Sequence, residues 1–123
     1  MTPRSKPGLI VISEEMKAWS AALAAELTTW PHVKTRPMFG FTAIYRGKHI
    51  FAILPRTRGI GSASSLAFKL ENASPRLQRR LRDECRISTT VMRASRWFVF
   101  ELACDSDLND ALEWLSHAYE AAK

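Results

Sequence analysis

Between Arg36 and Leu54 large apolar residues alternate along the chain on both sides of a short polar break. Residues 38–45 place Phe39, Phe41, Ala43 and Tyr45 on one side of an extended segment, with Met38, Thr42 and Ile44 on the other. After Arg46, Gly47 and Lys48 the alternation resumes. Ile50, Ala52 and Leu54 then share one side, and His49, Phe51 and Ile53 the other. Gly47 offers the positive φ that a short hairpin turn needs. The pattern predicts two strands that are apolar on both faces. A sheet with one wet face carries a polar residue at every second position. Cover is therefore expected on both faces, from helices or from a partner subunit.

Helical spacing governs the two ends. Ser13 suits an N-cap, and Glu14 and Glu15 follow it in the first turn, where the helix dipole favours acids. Met16, Trp19, Leu23, Leu27 and Trp30 then recur at helical intervals, up to a stop at Pro31. Residues 1–12, interrupted by Pro3 and Pro7, read as an N-terminal arm, and residues 13–123 as one domain. After the hairpin a glycine-containing loop spans 55–64, and Leu66–Leu70 predicts a third strand. Ser74 and Pro75 open a helix over 75–84. Ile87–Met92 and Trp97–Leu102 predict two more strands about a turn at Arg93–Ser95. The last helix starts at Asp105–Asp107 and carries a stripe of Leu108, Ala111, Leu112, Leu115, Ala118, Tyr119 and Ala122. Trp114 falls to one side of that stripe, where an indole can rim a pocket or an interface. The order is helix, three strands, helix, two strands, helix. That is an α+β, two-layer fold, with a mainly antiparallel five-stranded sheet backed by helices.

A length of 123 residues fits one domain, and 46% hydrophobic with 24% charged residues is ordinary for a globular one. No run of 18 apolar residues occurs, and the patch Leu9–Ile12 is too short for a signal-peptide core, so a cytoplasmic location is expected. Cys85 and Cys104 read as reduced, partly buried thiols. Charge is unevenly spread. Residues 1–96 hold 17 Lys and Arg against 6 Asp and Glu, whereas residues 97–123 hold one Lys against 6 acids. A basic body with an acidic last helix can form internal ion pairs or pair two copies.

The chemistry of known motifs is missing from the sequence. His32, His49 and His117 are isolated, without the spacing of a metal site, and His49 is expected to be a half-buried, hydrogen-bonded residue. Neither a nucleophile elbow nor a phosphate-binding loop occurs. No catalytic residue, metal or cofactor is expected. Two basic groups remain. Arg56 and Arg58 lead into Gly59-Ile60-Gly61, a loop whose amides could form an anion nest, or which could be a solvated connector. Arg76, Arg79, Arg80 and Arg82 crowd the short middle helix, where they could meet phosphates or an acidic protein surface. A small-molecule pocket between the sheet and the first helix, near Trp30, His32 and His49, is a further alternative.

Several segments resemble a known family. They are Arg36-Pro37-Met38-Phe39-Gly40, Ala43-Ile44-Tyr45, Gly47, Phe51-Ala52, the strand Leu66–Leu70 and the helix end Ala118-Tyr119-Glu120-Ala121-Ala122. Together they resemble the TfoX N-terminal domain, one of the YjbR-like small α+β domains, over about residues 35–122. The resemblance implies the same helix and strand order. It also implies a role in transcription and natural-competence control exerted through proteins, without catalysis. The expectation is a non-enzymatic interaction or regulatory domain that forms a homodimer or docks another protein. Nucleic acid is the less favoured partner, and no membrane is involved.

Overall fold

The Ser13 hydroxyl accepts the backbone N–H of Met16 at 3.1 Å and so caps the first helix, α1 (Glu14–Leu27). The computed structural model of the chain describes residues 11–60, 62–88 and 96–122. After α1 come β1 (Val33–Met38), β2 (Phe41–Arg46), β3 (His49–Pro55) and β4 (Ser65–Lys69). Then follow α2 (Pro75–Asp83), β5 (Ile87–Ser88), β6 (Trp97–Glu101) and α3 (Asp107–Ala121). The strands form one sheet in the order β1-β2-β3-β4-β6-β5, and every neighbouring pair is antiparallel. The fold is α+β, with α1 and α3 packed on one face of the sheet.

That helical face holds the main core. Phe51, Phe68, Phe100, Met16, Leu23, Leu27, Leu66 and Leu115 are fully buried in it. Each such side chain stabilises the fold by about 1.5–3 kcal/mol through the apolar area it removes from water. Trp114 belongs to the same core, stacked on Phe68 at 5.8 Å between ring centroids. Its place off the apolar stripe of α3 reflects α2, whose Leu77 and Leu81 extend the core around the helix.

The structure departs from the expected pattern at three places, and a fourth element is described only in part. The first helix ends at Leu27, because the Thr28 and Thr29 hydroxyls donate to the Ala25 and Glu26 carbonyls and turn the chain before Pro31. Trp30 therefore stands outside the helix. The sheet has six strands where five were expected. Met38 ends the unforeseen β1, and Phe39-Gly40 is a turn into β2. A bulge between Ile44 and Tyr45 lets Phe51 join Ala52 and Leu54 in the helix-side core, with Ile53 left on the other face. Finally, the strand expected over Ile87–Met92 is described only as Ile87–Ser88. The rest of it and the Arg93–Ser95 turn lie outside the described residues, as do residues 1–10 of the expected arm.

Cover on the second face comes from a loop. Ile60 is buried there against Ala67 and Val99, with Phe41, Ile53 and Trp97 half-buried around it. This face is thus closed at its centre and open at its margins. Cys85 and Cys104 are both exposed free thiols, and His49, the first residue of β3 after the turn at Gly47, is exposed rather than half-buried. Among the described residues no helix is long and apolar enough to cross a membrane.

Candidate functional site

The charges of the chain separate in space. All 12 acidic side chains belong to described residues. Six of them, Glu14, Glu71, Glu84, Asp107, Asp110 and Glu113, pair with Lys17, Lys69, Arg80, Arg86 and His117. None of the acids pairs with Lys34, Arg36, Lys48, Arg56 or Arg58. Those five cations gather along β1, the β2–β3 turn and the loop after β3.

Strand geometry explains the grouping. Lys34 and Arg36 alternate along β1 and stand opposite Tyr45 and Ala43 of β2. All four therefore lie on the face opposite the helices, where Ala43 is buried and Lys34 and Arg36 are exposed. The Arg36 guanidinium lies 5.9 Å from the centroid of the Tyr45 ring. Lys34, Arg36, Tyr45, Gly47 and Lys48 enclose a concavity of about 330 Å³. β1 is also a sheet edge, and its charges and Pro37 discourage strand addition there.

At the other end of β1 the turn brings Phe39 and Gly40 to the tip of the hairpin. Both have left-handed backbone angles, with φ of +49° and +87°. The N–H groups of Arg56, Thr57 and Arg58 all donate to the Gly40 carbonyl, at 3.0, 2.9 and 3.3 Å. A side chain at Gly40 would lie 2.8 Å from Arg58 Cγ and 2.9 Å from Thr57 Oγ1, so only glycine fits under the loop. Phe39 is 84% exposed. An aromatic side chain in solvent on strained backbone is doubly unfavourable, and such strain gathers at working surfaces. Asparagine suits this turn position far better. Phe39→Asn is expected to raise the stability by about 0.5–1 kcal/mol, as the left-handed strain is relieved. A denaturant midpoint that fails to rise would show the strain to be absent.

The six arginines singled out from sequence do not form one patch. Arg56 and Arg58 sit beside the hairpin tip, both exposed. Arg76, Arg79, Arg80 and Arg82 lie on α2, which packs against α3. Arg80 is engaged there, 3.0 Å from Glu113 and 5.0 Å from the centre of the Trp114 ring. Arg76 and Arg80 border a recess of about 280 Å³ with Ser74, Leu77 and His117. Arg82 borders another of about 340 Å³ with Gln78, Leu81, Ile87 and Phe98. Arg79 is exposed. Lys34, Arg36, Tyr45 and Lys48 were not singled out. Reading Val33–Met38 as a strand would have found them, because Lys34 and Arg36 then share a face.

The other ionic cluster is structural. Arg86 makes a two-pronged bond to Glu84, at 2.6 and 2.8 Å, and bonds Asp107 at 2.8 Å and Asp110 at 3.0 Å. Its guanidinium also lies 5.0 Å from the centre of the Phe100 ring. Asp107 Oδ2 accepts the N–H of Ala103 at 2.7 Å and that of Cys104 at 3.3 Å. The Arg86 hydrogen bond holds Glu84 below the usual carboxylate range. The Ala103 N–H, then Cys104 and Arg86, do the same for Asp107. Arg86 is raised above its ordinary value, chiefly by its hydrogen bonds to Glu84. Among the described residues no group of His, Cys, Asp and Glu could hold a metal ion. The space between α1 and the sheet is filled by Met16, Leu23, Leu27 and Phe51, and His32 and His49 are exposed. No family model, curated protein or solved structure matches the chain.

Proposed function

We propose that the protein is a non-catalytic interaction module that docks an anionic partner on the β1–β2 side of its sheet. One observation carries this reading. Lys34, Arg36 and Lys48 line a concavity at one end of β1 and Arg56 and Arg58 stand at the other, none of them paired with an acid, although the chain has 12 acids to distribute. Like charges held side by side repel, so an arrangement that leaves them unneutralised favours an external anion. Resemblance to the TfoX N-terminal domain, which acts through partners, agrees with a binding role, as does the expected cytoplasmic location. The two ends of the surface are positioned by well-fixed backbone, the Gly47 turn and the Gly40 carbonyl.

The test is retention on an anionic matrix such as heparin, followed over a salt series. The wild-type chain is expected to bind at low salt and to elute later than Lys34→Ala/Arg36→Ala/Lys48→Ala. An unchanged elution position for that variant would remove the reading. A second copy is the competing occupant, favoured by the half-buried Phe41, Ile53 and Trp97 around Ile60. Light scattering on the same samples separates the two readings. A dimer that persists in high salt supports self-association through these apolar margins, and a strict monomer at high micromolar concentration removes it.

A further inference from the structure

We infer that the anionic partner is single-stranded nucleic acid, laid along β1 and β2 with a base on Tyr45 and its phosphates among Lys34, Arg36 and Lys48. This deepens the binding role proposed above and rests on it. A purely electrostatic surface needs cations alone. This one interleaves them with rings. Tyr45 forms one wall of the concavity between Lys34, Arg36 and Lys48. Phe41 lies four residues away on the same face of β2, about 13 Å along the strand. Phe39, exposed at the hairpin tip, precedes the Gly40 whose carbonyl accepts the N–H groups of Arg56 and Arg58. Cations that track a backbone, with aromatic side chains beside them for successive bases, are what unpaired strands require.

The volume fits as well. About 330 Å³ is at the lower end of the clefts that hold small ligands and admits one nucleoside unit. The Arg36 guanidinium, at 5.9 Å from the Tyr45 centroid, is the far end of an exposed side chain. It can leave the ring for a phosphate when a base takes its place. A duplex fits poorly, because its bases are stacked on one another and present no free faces to Tyr45, Phe41 or Phe39. An acidic peptide supplies charge and leaves the rings unused.

Fluorescence anisotropy tests the inference. The probes are a fluorescein-labelled 15-mer of thymidylate, a labelled 15-base-pair duplex and labelled polyglutamate, each with the full-length chain. The single strand is expected to bind most tightly. Its logarithmic salt slope should be about −3, as four to five neutralised phosphates give on single strands. Tyr45→Leu should weaken the single strand by roughly 5- to 150-fold, the value of one base stack, and leave polyglutamate unchanged. Lys48→Ala, at an exposed turn, should lower the slope by about 0.7 whether or not Tyr45→Leu folds normally. Polyglutamate or duplex bound as tightly as the single strand, or indifference of single-strand binding to Tyr45→Leu with native circular dichroism, overturns the inference and leaves the anion-binding role standing. No binding to any probe at low salt removes both.

Discussion

Arg86→Met is expected to lower the stability of the fold by about 2–3 kcal/mol. The replacement keeps an unbranched apolar stem over Phe100 but strands three carboxylates, Glu84, Asp107 and Asp110, that the guanidinium now joins. Breaking a fully buried pair by removing one partner costs about 3–5 kcal/mol, and the 28% exposure of the Arg86 side chain reduces that figure. The effect depends on pH with a definite sign. Glu84 and Asp107 are held below their ordinary values of 4.5 and 3.8. Their contribution is thus present above those values and is lost as the pH falls through the lower folded ones. Acid should therefore destabilise the wild-type chain and narrow its advantage over Arg86→Met. Part of the acid loss persists in the variant, because the Ala103 N–H still favours the ionised form of Asp107. Urea midpoints at pH 7 and pH 3 measure both effects. A difference between the two chains that is the same at the two pH values would show that Arg86 acts through packing alone.

Tyr119→Ala is expected to cost about 3–4 kcal/mol, in the range of large aromatic deletions from a core. Tyr119 closes α3 onto the rest of the molecule. Its hydroxyl donates to the Pro31 carbonyl at 2.8 Å, and its ring meets Trp30 and Phe51 edge-on, at 5.1 and 5.7 Å. On the other side lies Arg46, 4.2 Å from the ring centre and hydrogen-bonded to the Tyr119 carbonyl at 2.8 Å. Tyr119→Phe keeps the ring and loses the hydroxyl bond, so it should cost about 1 kcal/mol. Equal denaturation midpoints for the two variants would mean that the ring contributes little beyond its hydrogen bond.

The apolar stripe of α3 and the caps at Ser13 and Ser74 were legible because they depend on neighbours within one turn. The same holds for the Trp97–Glu101 strand, whose Phe98 and Phe100 alternate with Val99 as the sequence indicates. β1 was hidden. Its residues, Val-Lys-Thr-Arg-Pro-Met, are mostly exposed at a sheet edge, so no alternation of oil and water marks them. Phe39 misled for the opposite reason. Its type suits a strand, but Gly40 after it opens a turn whose conformation sequence periodicity does not report. The Arg86 network joins residues 21 and 24 positions apart, and from sequence Arg86 was one arginine in a basic run. Only tertiary packing separates the arginines that acids occupy from those left available.

The convergence of three amides on one carbonyl has a mechanical consequence. Gly40 fastens the hairpin tip to the loop beyond β3, so Phe39, Arg56 and Arg58 share a single anchorage. Two flexible fingers would each lose freedom on gripping a guest. A welded claw has surrendered that freedom during folding, so a guest of the kind proposed above would cost it less to grip.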